Sequence, residues 1–235
     1  MEINRNQQKN TIMKPIYKAI LVIIIFAGMV IQEAEAQAEL GVDIMSRYVW
    51  RGTDFGNSPS IQPDISYSVG NFTIGTWAAI ATNGNPDGSE IDWYASYDIS
   101  TSAGTFSLMV TDYTFPEDPT GSYFSKSSHF IETALGYEGT ESFPVSFMTG
   151  VFVTNDDDYS IYSELGFSAG PFDLFMGFTP AKSALYGTSK AGVIHTGIGT
   201  SKEIRFSDSF SLSLTGQIAV NPYAKDTFFL MGFSL

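Results

Sequence analysis

"RYVWRGTDFGNSPSIQPDISYSVGNFTIG", residues 47–75, contains the pattern that decides the fold. Ser60, Gln62, Asp64, Ser66 and Ser68 occupy one parity of the chain, and Ile61, Pro63, Ile65, Tyr67 and Val69 the other. A period of two is that of a β-strand, whose successive side chains point to opposite faces. One face of this strand is apolar and the other is wet. Either the apolar face covers a protein core and the wet face meets solvent, or the apolar face meets lipid and the wet face lines a lumen.

The same alternation continues along the chain. Ile91, Trp93, Ala95, Tyr97 and Ile99 alternate with Glu90, Asp92, Tyr94, Ser96 and Asp98, and Phe210, Leu212 and Leu214 with Ser211, Ser213 and Thr215. Twelve segments read as strands: 39–50, 59–69, 71–82, 89–100, 104–115, 127–138, 142–153, 158–168, 171–180, 191–202, 209–220 and 226–235. Their lengths suit a tilted transmembrane strand, about 9 to 11 residues. Connections after odd-numbered strands tend to be long ("RGTDFGNS", "NGNPDGS", "PEDPTGSYFSKS", "AKSALYGTSK"), and those after even-numbered ones short ("GN", "TSAG", "SAG"). That asymmetry is characteristic of outer-membrane barrels, which have an even strand number in bacterial single chains. The turn "EIRFSDS" is too long for this scheme, and the loop around Asp156–Asp158 too short.

A soluble β-sandwich alternates as well, so three further features tilt the reading to a barrel. Aromatic residues such as Tyr48, Trp50, Trp93, Tyr97 and Tyr137 gather near strand ends, as an interfacial girdle requires. Glycines 75, 136, 150, 166 and 177 fall on the wet parity, where a crowded interior needs small residues. The C-terminal "TFFLMGFSL" puts Phe229, Met231, Phe233 and Leu235 on one face, resembling the closing-strand signal read by outer-membrane assembly machinery, with Leu in the place of the usual Phe. Asp112 on the apolar parity and the scrambled pattern around His195 predict a bulge or a displaced boundary at each.

The N-terminus reads as an export signal. Lys14 and Lys18 precede the apolar run Ala19–Ile31, and a small-residue segment follows with cleavage after Ala36 or Ala38. Met13 would open a more ordinary signal than Met1 does. The expected organisation is therefore a signal peptide over 1–38 and one barrel domain over 39–235, located in the bacterial outer membrane. Cleavage would leave eight bases against 22 acids, a net charge of −14. Such a balance excludes nucleic acid as a partner. The absence of cysteine excludes disulfides and thiol chemistry. No apolar run in 39–235 is long enough to cross a bilayer as a helix, so a membrane-spanning form must be a barrel.

With the wet parity inward, the expected lumen carries Asp43, Asp64, Glu90, Asp92, Asp98, Glu132, Glu164 and Asp173 against one interior base, Arg47. Trp77, Tyr94 and Tyr162 join these as pore-lining candidates, and Phe152 and Phe175 also point inward to plug the lumen or line a sugar-like or aromatic substrate path. So much like charge would be costly in a dry core, and carboxylate rings favour cations. Side chains can instead fill a small barrel and leave it closed. Tyr48 and Trp50 are expected to anchor strand one at the outer interface, and Arg51 and Asp54 to begin the first external loop. His129 and His195 lie in no nucleophile motif and read as exposed or girdle residues, so no catalysis is expected, and no cofactor or metal. "NDDDYS" (155–160) lacks the spacing of a calcium loop and reads as a solvated hairpin loop. "GIG" at Gly197–Gly199 lacks a following helix.

The segment from Ser46 to Ala79 resembles the N-terminal signature of the bacterial TorF-like porin family, also catalogued as a Gcw-type conserved hypothetical family. The matching steps are Trp50-Arg51-Gly52, Ser60-Ile61-Gln62 and Gly75-Thr76-Trp77-Ala78. The resemblance implies an outer-membrane barrel with a channel role, and supplies no substrate and no site. The combined expectation is a twelve-stranded all-β up-and-down barrel forming a narrow, cation-favouring channel, with lipid, small solutes or cations, and the assembly machinery as partners. A non-conducting barrel whose loops serve adhesion or structure and a secreted β-sandwich binding protein are the alternatives.

Overall fold

The computed structural model describes residues 36–116, 123–208 and 210–235. The expected signal peptide lies outside these up to residue 35. Gln37–Leu235 forms one compact unit. Its first strand begins at Ala36, so cleavage after Ala38 would trim the start of that strand.

Twelve antiparallel strands close into a barrel, each paired with its sequence neighbour among the wall strands. They are β1 (Ala36–Met45), β4 (Ser60–Val69), β5 (Phe72–Ala81), β6 (Glu90–Thr101), β7 (Gly104–Thr114), β8 (Phe130–Thr140), β9 (Phe143–Phe152), β10 (Ile161–Ala169), β11 (Phe172–Thr179), β12 (Gly192–Ser207), β13 (Phe210–Asn221) and β14 (Asp226–Ser234). The two remaining strands, β2 (Tyr48–Trp50) and β3 (Thr53–Phe55), pair only with each other. β14 meets β1 over Asp43–Met45 and closes the ring. The expected all-β barrel of twelve strands is therefore the observed fold.

The opening question about the two faces now has its answer. Ile65, Trp93, Leu135, Leu165 and Phe229 stand exposed on the outer surface, while Asp92, Ser96, Glu132 and Tyr162 on the other parity are buried inside. A sandwich would bury the apolar parity; here it forms the exterior. The buried apolar cluster lies within the lumen and consists largely of aromatic rings: Tyr113, Phe152, Tyr162 and Tyr186, with Ile194.

Three local expectations change. The first wall strand ends at Met45, not at residue 50, because the chain turns inward after it. "EIRFSDS" is not a long turn: β12 runs on to Ser207, which pairs with Phe210 of β13. Asp112 causes no bulge, since its pairing with Trp93 and Ile131 is regular on both sides. The irregularity expected near His195 is present: Gly177 pairs with His195 and Phe178 with Val193, leaving Ile194 as the extra residue of a bulge.

Candidate functional site

The segment after β1 does not leave the barrel as an external loop. Its Tyr48–Phe55 portion folds as a hairpin into the lumen, at the end that carries the long loops. The turn is the two residues Arg51 (φ 49°) and Gly52 (φ 80°), between the paired Trp50 and Thr53. Positive φ at both positions is the mirror-image turn whose twist matches a β-hairpin. Gly52 is required twice over, because a Cβ there would also stand 2.0 Å from the carbonyl oxygen of the bulge residue Ile194. Asn221 on β13 donates to the Gly52 carbonyl at 3.1 Å and fixes the tip.

Arg51 is the centre of the arrangement and is 9% exposed. Its guanidinium donates to both oxygens of Glu132 on β8, at 2.7 and 2.9 Å, and to the Tyr186 hydroxyl at 2.6 Å. It also lies over the rings of Trp50 (4.5 Å) and Tyr162 (4.4 Å). A planar guanidinium suits this combination of a two-point carboxylate contact and ring stacking. Tyr113 donates to Glu132 at 2.8 Å, so the carboxylate is satisfied as well. Trp50 packs on Tyr113 and Phe152, and Tyr48 packs on Trp77 and donates to Glu90 at 2.9 Å. The hairpin thus touches side chains across the lumen, from β5 to β13.

Loop residues hold Tyr186 in place. Asp158 accepts from Lys182 (3.2 Å) and from the Ala184 amide (2.7 Å), and Ser160 bonds Ser183 at 2.6 Å. The Ala184 amide, more than Lys182, holds the Asp158 carboxyl below its ordinary range. Burial pushes the Tyr186 phenol up to about 12 against the pull of Arg51. The expected loop at 155–160 is therefore a clamp for its neighbour.

Eleven of the twelve pore-lining candidates lie on barrel strands and on the inward parity, at three levels. Glu90, Asp92, Glu132 and Tyr162 are buried against the hairpin. Asp64, Tyr94 and Glu164 lie deeper, with Trp77 reaching up to the Tyr48 ring, Tyr94 donating to Asp64 at 3.0 Å and Tyr162 donating to Glu164. Asp43, Asp98 and Asp173 lie towards the short-turn end, where Asp173 accepts from Ser168 at 2.7 Å. The structure corrects the twelfth: Arg47 lies beyond β1, 40% exposed, and braces the segment by pairing with Asp54 and Asn57. The buried interior base is Arg51, not an external-loop residue, and Tyr48 is buried in the lumen, not in a girdle. His195 is likewise no girdle residue, for it faces Glu164 and Tyr162, each at 3.2 Å. His129 lies at the long-loop end, between Asp112 (2.8 Å) and the Tyr123 carbonyl (2.6 Å). Both partners only accept, so the doubly protonated ring satisfies them best. The Asp112 contact first, then Tyr123, raises its pKa.

Sequence reasoning missed Trp50, Arg51, Tyr113 and Tyr186 as interior residues. The Arg-Gly pair flanked by alternating aromatics was a hairpin signal, masked because a luminal hairpin and a wall strand alternate alike.

These features define a closed antiparallel barrel of twelve strands with an apolar exterior, a carboxylate-rich interior and a hairpin seated inside, an architecture compatible with an outer-membrane location. The chain belongs to the bacterial family of unknown function termed Gcw_chp, whose model matches residues 32–173. The match spans the hairpin and the wall from β1 to the start of β11. No curated protein matches the chain. The Gcw-type half of the resemblance thus holds, and the family's description assigns no activity.

Proposed function

We propose that this protein is an outer-membrane barrel that passes small solutes, cations in preference to anions, through a lumen gated by the Tyr48–Phe55 hairpin. The reading rests on one observation: a wall of inward carboxylates closed at the long-loop end by a hairpin whose buried Arg51 is held by Glu132. The apolar exterior supports lipid as the surrounding medium, and the C-terminal strand, which completes the ring, is the feature that assembly machinery would read. Carboxylates set a field favourable to cations. The hairpin sets the resting state, and freeing Arg51 opens the path. This reading assigns no catalytic role.

The test is single-channel recording of the refolded protein in a planar bilayer with a salt gradient. Wild type should open rarely, while Arg51→Ala combined with Glu132→Gln should give frequent discrete steps with a cation-selective reversal potential. Changing Glu164 and Asp98 to Gln and Asn in that background should weaken the selectivity. Stable insertion of both proteins without steps would overturn the channel reading. It would leave a permanently plugged barrel whose loops carry the function, the alternative that the lumen-crossing hairpin favours.

A further inference from the structure

Beneath the hairpin, on its short-turn side, lies a recess of about 360 Å³. Its wall is one register row across four strands: Asp64 on β4, Trp77 on β5, Asp92 on β6 and Tyr113 on β7. Acid and aromatic ring alternate along that row. Tyr94 closes the next level, lying flat on the sheet where a Cβ on Gly75 would stand 2.4 Å from its ring. Trp50 and Tyr48 of the hairpin form the roof.

Asp92 is the unexplained residue. It is 7% exposed, and its Oδ1 is buried without a hydrogen-bond partner. Glu90, two residues away on the same inward face, adds a second carboxyl that shares a hydrogen bond with Asp92, so the pair holds one proton between them and still leaves Asp92 Oδ1 without a partner. Among the described residues no salt bridge reaches Asp64, Glu90 or Asp92, since Arg51 is committed to Glu132. A buried carboxylate oxygen left unpaired is costly, and a cation restores the balance. Five aromatic side chains, Tyr48, Trp50, Trp77, Tyr94 and Tyr113, line the recess around two carboxyl groups. That suits a cation recognised by aromatic quadrupoles, and not a metal ion, which demands a shell of oxygen ligands. Its volume lies at the small end of ligand pockets.

We propose that this recess is a binding site for a small organic ammonium ion. The charged nitrogen sits between Asp92 and the faces of Trp77 and Tyr113, and entry is from the short-turn end, since the hairpin roofs the other. The site needs the hairpin seated and is independent of whether the lumen conducts, so its failure and that of the channel reading are distinguishable.

The experiment is a tryptophan-fluorescence titration of the refolded full barrel in a glucoside detergent, which carries no ammonium headgroup. Trp50 and Trp77 line the recess, and Trp93 on the outer surface gives a constant background. The probes are choline and its uncharged carbon isostere, 3,3-dimethylbutan-1-ol. Choline should saturate the signal, with the alcohol at least tenfold weaker. Asp92→Asn should weaken choline at least tenfold while retaining the heat-dependent gel shift of an intact barrel. Equal affinity for the two probes on wild-type protein would overturn the proposal without any variant. So would an unchanged affinity in Asp92→Asn, which is expected if Glu90 and Asp92 merely share a proton. Displacement of choline by equimolar potassium chloride would also overturn it, marking an unselective cation trap.

Discussion

Arg51 occupies a turn position that asparagine or glycine would fill at lower conformational cost, since a left-handed backbone costs an ordinary residue roughly 1–2 kcal/mol. Its side chain offsets that cost through Glu132, Tyr186 and two rings. Truncating it leaves the buried Glu132 charge without its cation. Arg51→Ala should therefore lose about 3–5 kcal/mol, whereas Arg51→Met with Glu132→Leu should lose less than either single truncation. Urea unfolding of vesicle-refolded protein, run as a double-mutant cycle, checks both. The inward carboxylates were legible because parity alone assigns them once the barrel is inferred. Arg51 was not, because periodicity gives the face of a side chain but not whether its strand belongs to the wall. The same limit made Arg47 look like the interior base.

At the scale of elements, small residues decide where the inward rings can lie. A Cβ on Gly177 would stand 2.0 Å from the Tyr162 hydroxyl, so that glycine lets the ring lean on the wall beneath Arg51. Gly177→Ala should cost about 1–3 kcal/mol through this crowding, measured by the shift in urea midpoint. Composition indicated a crowded interior, but which ring rests on which glycine depends on register across strands. The β7–β8 connection carries a pH dependence of definite sign. His129 has a folded pKa above its ordinary value of about 6.5. Its contribution is thus complete below that unfolded value and disappears as pH rises through the folded one. Hydrogen exchange of the residues flanking His129 should be slower at pH 6 than at pH 9 after correction for intrinsic rates, and Asp112→Asn should abolish most of that difference. The sequence marked Asp112 as an anomaly of pairing. The actual reason is a partner two positions before Ile131, on the same outer parity, which a strand-by-strand reading does not see.

The whole molecule was the most legible level, since strand count, alternation and loop asymmetry all follow from a repeating period. Its closed exterior predicts heat-modifiable gel migration for the refolded protein, and unheated samples that migrate like heated ones would contradict it. The hairpin adds an order of events. It follows the first wall strand, yet its contacts reach partners 81, 135 and 169 residues further along the chain. Its seat does not exist until β8, the loop after β11 and β13 have taken their places, and long-range contacts of this kind form late because loop closure precedes any gain from them. In a variant whose only tryptophan is Trp50, emission should therefore shift to the blue no earlier than the compact gel form appears. A segment made early and seated last would give the barrel a stage with a complete wall and a vacant bore. In that order every molecule would be briefly open during assembly, and sealing would be a separate act with its own rate.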